Sequence, residues 1–236
     1  MTFFNASEPI LRRKQHELDF QDLQGLLCFR WRVGSKTLLK TSYSRIDQVF
    51  MLWGLLTAAM FITAQFLPLD WSTQAVLWSV LTLVGTVAMI GLSWFWVVVE
   101  RAAWLVGSWV LLIAVGLALT DYSIFMAWGD VMLHLGSLWL AISALGYVIT
   151  GCSLRSRALV LAGIVHLFSA AVVFYISDWQ FLLTGIVMAG SLLLLGESQW
   201  DMRPPIDYRL LEAQKQFNRE QHLRRSASHF EHDVQS

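Results

Sequence analysis

The chain has 236 residues, 17 Lys+Arg against 17 Asp+Glu, and a mean hydropathy of +0.54. Hydrophobic types make up 56% before glycine is counted, and charged types only 14%, against about 45–50% apolar and about 25% charged in ordinary soluble domains. A soluble globule would have to expose much of that apolar surface, and two Cys with twelve Trp fit neither a disordered chain nor a disulfide-stapled secreted domain.

Residues 1–48 carry eight Lys/Arg and no apolar core of secretory length, so no cleavable signal peptide is expected there. Leu11, Leu18 and Leu26 or Leu27 are spaced to share one face of an interrupted helix. Phe29-Arg30-Trp31-Arg32-Val33 then alternates apolar or aromatic residues with arginine. Three readings are open: the stretch lies on a leaflet with Arg30 and Arg32 on lipid phosphates, it forms a short strand, or it docks a partner. Headgroup contact is the preferred expectation. Glu8, Glu17, Asp19, Asp22 and Asp47 interrupt the basic residues, which is not a nucleic-acid-binding pattern.

Six apolar runs follow, at 49–67, 75–99, 102–120, 131–150, 158–176 and 181–199. A helix crossing a bilayer core needs about 20 apolar residues. Pro68 ends the first run, the second is long enough to require tilt, and Glu100-Arg101 separates it from the third. Val110–Leu119 is apolar on both parities, unlike a lipid-facing barrel strand. The expected fold is therefore all-α, six transmembrane helices in a single bundle. With the N-terminus placed in the cytoplasm, all 17 Lys/Arg fall on the cytoplasmic side. The outer turns hold only Asp70, Asp121, Asp130 and Asp178. This bias predicts a multi-pass protein of a bacterial-type inner membrane with both termini cytoplasmic.

The outer turns share an acid followed by an aromatic: Asp70-Trp71, Asp121-Tyr122 and Asp178-Trp179, spaced by 51 and 57 residues. On the inner side, the segment from Arg101 to Gly107 lines up with that from Arg157 to Gly163. Either the chain is three tandem helical hairpins, or each turn has converged on an Asp that caps a helix beside a ring at headgroup level. Residues 200–236 form a cytoplasmic tail, with a break at Pro204-Pro205, a short surface helix expected over about 206–223, and a disordered end after Arg224-Arg225.

Candidate chemistry is sparse. His134 and His166 are the ionisable residues within the spans, and Glu197 sits at the inner end of the last. Asp130 and His134, four residues apart, fall on one helix face, where the carboxylate can accept from the imidazole. Helical rise puts the two histidines about 10 Å apart in depth, an awkward offset for a shared haem. Structural hydrogen bonding is the preferred role for both. Arg155 and Arg157, with Ser153, Ser156 and Cys152, form an inner turn suited to a lipid phosphate. No metalloprotease, phosphate-loop, dithiol or serine-hydrolase motif occurs, and neither a metal site nor a cofactor is expected. Trp109 and Trp139 lie deeper than an interfacial belt and mark where a pocket would be.

The preferred function is a non-enzymatic accessory, assembly or scaffold subunit of a membrane complex, because 85 residues lie in tails and no buried charge or motif offers chemistry. Its expected partners are membrane lipids and a protein, either another subunit or a second copy, with no nucleic acid. Two alternatives stand beside it. One is a small transporter or lipid-handling protein, which a continuous polar-lined cavity between the fourth to sixth helices, reaching His166, would favour. The other is a haem or proton-relay redox protein using His134 and His166.

Overall fold

Ser44 starts the first long helix of the computed structural model, which describes residues 3–4, 9–14, 18–33 and 36–235. In chain order the elements are β1 (Leu11–Arg12), α1 (Phe20–Leu23), β2 (Leu27–Val33), β3 (Lys36–Tyr43), α2 (Arg45–Phe66), α3 (Trp71–Val99), α4 (Ala103–Phe125), α5 (Gly129–Met132), α6 (Leu135–Leu154), α7 (Arg157–Val173), α8 (Gln180–Glu197), β4 (Gln199–Trp200) and α9 (Glu212–Gln235).

The interrupted N-terminal helix expected from the leucine spacing does not form. Leu27–Val33 has a two-residue alternation rich in aromatic and apolar side chains, and it pairs antiparallel with Lys36–Tyr43. That ladder satisfies backbone groups that a helix broken at Gly25, with φ +73°, would leave open. Leu11 instead lies in β1, which pairs antiparallel with β4. Of the three readings for residues 29–33, the backbone adopts the strand. The side chains of Arg30 and Arg32 lie outside the described residues, as do Glu8 and Glu17.

Among the described residues, five helices are long and apolar enough to cross a membrane: α2, α3, α4, α6 and α8. The expectation of six is met only in part. The fifth apolar run gives α7, whose 17 residues span about 25 Å at 1.5 Å per residue, short of a core about 30 Å thick. Its outer end tightens: Tyr175 N bonds to Val172 O at 3.2 Å and Ile176 N to Val173 O at 3.0 Å, so 174–176 leave the α register. Elsewhere caps move the boundaries. Ser44 and Asp47 exchange reciprocal side-chain-to-amide bonds at the start of α2, at 3.3 and 2.9 Å. The Asp70 carboxylate accepts from Thr73 N at 2.9 Å, which carries α3 back to Trp71. The run 131–150 is broken at Leu133-His134, between α5 and α6. Near the C-terminus, Asp207 (φ 53°) and Arg209 (φ 62°) form a left-handed turn that delays the surface helix. α9 therefore starts at Glu212 rather than near 206 and runs to Gln235, through the stretch expected to be disordered.

The long helices enclose a common axis. α2 packs on α3, α3 on α4, α4 on α6, and α8 closes the ring against α2 while touching α6 and α7. The two closest seams are α2/α8 and α6/α7. Glycine permits both. A Cβ on Gly185 would lie 2.8 Å from the Phe61 Cβ, and one on Gly151 would lie 2.7 Å from the Val160 amide nitrogen. Outward-facing side chains such as Leu83, Leu111, Leu167 and Phe168 are exposed and apolar, as lipid contact requires.

Two inner turns share a helix-ending geometry, which also closes α4 at Ala127 (φ 52°) on the outer side. Arg101 (φ 51°) and Arg155 (φ 52°) occupy equivalent left-handed positions. Ala102 N bonds to Val97 O at 2.7 Å, and Ser156 N to Gly151 O at 2.8 Å. Each following helix starts two residues later, at Ala103 and Arg157. Backbone geometry thus matches Arg101 with Arg155, not with Arg157. The outer turns are not equivalent: Asp70 caps a helix, Asp121 lies inside α4 and accepts from Ser79 Oγ at 3.0 Å, and Asp178 precedes the α8 cap residue Trp179.

Candidate functional site

Two polar regions stand out, one at the basic end of the bundle and one within it. At the basic end, Glu100 at the C-cap of α3 is fully buried. Its carboxylate accepts from Arg203 at 3.0 Å, from Gln21 Nε2 at 3.3 Å and from the Ile206 amide at 3.3 Å. Arg203 also donates to the Glu100 carbonyl at 2.8 Å. Gln21 Oε1 accepts from Asn218 Nδ2 at 3.0 Å, and Asn218 Oδ1 accepts from Phe20 N at 2.7 Å. His222 of α9 approaches Asp19 at 3.6 Å. Burial pushes the Glu100 carboxyl above its ordinary range, against the pull of Arg203.

Asp201 caps α7 from a distance of 44 residues. It accepts from the amides of Arg157 and Ala158, each at 3.0 Å, from Arg157 Nε at 2.7 Å, and from Ser156 Oγ at 3.2 Å. Burial raises its carboxyl, but the Arg157 guanidinium and the two amides outweigh it and hold the group below the usual carboxylate range. Arg157, expected at a lipid phosphate, is therefore engaged by Asp201. Arg155 stands at the left-handed C-cap of α6 with its guanidinium over the Phe3 ring, 5.3 Å from the centroid. Glu197 accepts from the Tyr43 hydroxyl at 2.5 Å.

The second region is a cavity of about 180 Å³ along the bundle axis, bounded by α2, α3, α4, α6, α7, α8 and, at the basic end, Trp200 of β4. Its wall is almost wholly apolar. Six of the twelve tryptophans line it: Trp53, Trp78, Trp96, Trp109, Trp139 and Trp200. Trp109 Nε1 donates to Thr150 Oγ1 at 3.0 Å, and Trp139 Nε1 to Thr120 Oγ1 at 3.1 Å. Trp53 Nε1 and Trp78 Nε1 are buried without a partner.

His166 is fully buried on this wall, its ring 4.8 Å from that of Tyr147. Nδ1 lies 2.8 Å from the Ala162 carbonyl, and Nε2 has no partner. His134 is elsewhere, at the N-cap of α6. It stacks on Phe174, 4.1 Å between centroids, and Phe174 is eight residues beyond His166 on the same chain segment. The two histidines are thus separated by about two turns of helix and do not converge. His134 Nδ1 bonds to the Asp130 backbone carbonyl at 2.7 Å, not to its carboxylate. Among the described residues no group of three or more His, Cys, Asp or Glu is arranged to hold a metal ion.

Sequence reading located Trp109 and Trp139 as pocket markers, and both are in the wall. It does not single out Trp53, Trp78, Trp96 and Trp200, which share that wall, nor Glu100 and Asp201 as anchors. The signal for the anchors was the placement of one acid at the end of an apolar run and another just before Pro204-Pro205.

Comparison of the chain with protein-family models, with curated proteins and with solved structures finds no match.

Proposed function

We propose that this multi-pass membrane protein binds a small apolar molecule inside the bilayer, in the cavity that His166 borders, and performs no chemistry on it. It takes up the lipid-handling reading of the sequence with one change: the cavity that reaches His166 is apolar and spans most of the bundle, where a polar-lined one between the fourth to sixth helices was expected. The observation that carries it is the cavity itself: about 180 Å³, with an apolar and tryptophan-rich wall, larger than the roughly 150 Å³ that suffices for benzene in an engineered apolar cavity. In this reading α7 is the sixth crossing, its short span made up by the irregular residues 174–176. Both termini and every Lys/Arg then lie on the cytoplasmic side of a bacterial-type inner membrane. The scaffold reading drew on tails free to recruit partners. Glu100 and Asp201 tie residues 20–21 and 201–206 to the bundle, and this moves the weight from the tails to the cavity.

The test uses the intact protein in mild detergent, with bromodecane as a quencher of tryptophan fluorescence. Saturable quenching in the wild type, lost in the cavity-filling variant Ser143→Phe with helix content unchanged, supports the reading. Quenching that rises linearly and equally in both proteins refutes it.

A further inference from the structure

We infer that the cavity recognises a hydroxyl group on its apolar ligand, through His166 and Trp53; this rests on the ligand-binding reading above. The first step is the state of His166. The Ala162 carbonyl can only accept, so Nδ1 carries the proton of the 2.8 Å bond. A neutral ring in that tautomer presents a lone pair at Nε2, which is buried and has no partner. The second step is Trp53, whose Nε1–H is a donor only and is likewise buried and unpartnered.

The two groups lie on helices that both start at the basic end. Trp53 is eight residues from Arg45, where α2 starts, and His166 is nine from Arg157, where α7 starts. At 1.5 Å per residue these are about 12 and about 13 Å from the starts of their helices, and both lie inside apolar runs, the first beginning at residue 49 and the fifth at residue 158. Both residues line the same cavity, His166 against Tyr147 of α6 and Trp53 from α2. One cavity therefore offers an acceptor and a donor in an otherwise apolar space. A hydroxyl is the smallest neutral group that donates and accepts through a single atom. A hydrocarbon answers neither atom, and an ether or ketone answers only the indole. The ligand class is accordingly an apolar alcohol. Trp78, the third unpartnered indole, lies against Phe61 and Phe181 toward the acidic end and takes no part in this pairing.

The experiment is competition against bromodecane quenching by decanol, methyl nonyl ether and decane, with the full-length protein in mild detergent. Decanol is expected to compete best, about tenfold ahead of decane, with the ether between them. His166→Phe should bring decanol down to the ether, and Trp53→Phe should bring the ether down to decane. Equal competition by all three in the wild type overturns the inference while leaving the cavity reading intact. An unchanged order in both variants overturns it as well. Absence of saturable bromodecane binding overturns the cavity reading and this inference together. If His166→Phe does not fold, the wild-type order and Trp53→Phe still decide.

Discussion

The tail anchors at the basic end and three ring nitrogens in the interior treat burial in opposite ways, although Gln199 Oε1 at the basic end is also buried without a partner. At the basic end, Glu100, Asp201, Gln21 and Asn218 are almost completely shielded from solvent, and each has at least two partners. In the interior, His166 Nε2, Trp53 Nε1 and Trp78 Nε1 are as inaccessible and have none. A buried polar atom without a partner costs about 1–3 kcal/mol. Paired groups at the end hold the tails to the helices. Unpaired groups in the wall are where the fold forgoes stability, and such positions are candidates for a ligand's polar atoms. Removing a basic-end anchor should therefore damage folding, whereas removing a wall group should change what binds.

The largest effect is expected at Asp201. Asp201→Ala leaves the Arg157 guanidinium, the Ala158 amide and Ser156 Oγ short of an acceptor in a shielded site. Loss of a helix cap costs about 0.5–2 kcal/mol, and the partly exposed Arg157 loses its carboxylate partner as well. Unfolding in a denaturing detergent series should show this fall in midpoint, with bromodecane affinity in the folded fraction unchanged. An intact midpoint would mean that Asp201 does not anchor the tail, and the contrast between the two regions would collapse.

A smaller effect follows from the opposite pH signatures of the two anchors. The Glu100 carboxyl is raised from its ordinary value of 4.5 because burial disfavours its charge. A folded state that holds the proton more tightly than the unfolded chain gains stability at low pH. That contribution is complete below the ordinary value and is lost as pH rises through the raised one. Asp201 is lowered from 3.8, so its contribution is present above that value and is lost as pH falls below it. The measurement is the unfolding midpoint of wild type minus that of Glu100→Gln across this range. The difference should shrink as pH climbs above 4.5. A difference that grows would mean that Arg203, not burial, dominates at Glu100.

These anchors also mark the limit of what the sequence discloses. The apolar runs announce themselves because hydrocarbon demands long stretches without charge, and five of the six produce helices of spanning length. The hairpin at 27–43 was legible as an alternation but competed with a helical leucine spacing, and strand pairing decided it. Glu100 meets Arg203 across 103 residues and Gln21 across 79. Asp201 meets Arg157 across 44. Local pattern carries no information about such pairings; the sequence shows only that the charges exist at run ends. His166 was visible as an ionisable residue in an apolar run, yet its open Nε2 depends on the Ala162 carbonyl one turn back and on the walls around it. The tryptophans divide in the same manner. Composition shows twelve, and only packing separates the ones that face the cavity from the exposed rings at Trp71, Trp94, Trp104, Trp128 and Trp179.

The smallest expected effect concerns the acidic end, where the sequence offered three look-alike turns. Asp70 accepts from the Thr73 hydroxyl at 2.6 Å and from the Thr73 amide at 2.9 Å. These bonds hold its carboxyl below the ordinary range. Asp178 offers only its backbone carbonyl, to Gln65 Nε2 at 3.0 Å. An alanine keeps a backbone carbonyl and loses a side-chain cap. Asp70→Ala should therefore lower the unfolding midpoint slightly, and Asp178→Ala should leave it where it is. Both positions are exposed to water, so neither change should approach the loss at Asp201. Equal losses at Asp70 and Asp178 would restore the equivalence of the outer turns and, with it, the case for three tandem hairpins. Unequal losses leave only the match at Arg101 and Arg155, on the opposite side of the bundle, a helix-ending geometry that Ala127 also adopts and that therefore does not by itself argue for a repeat.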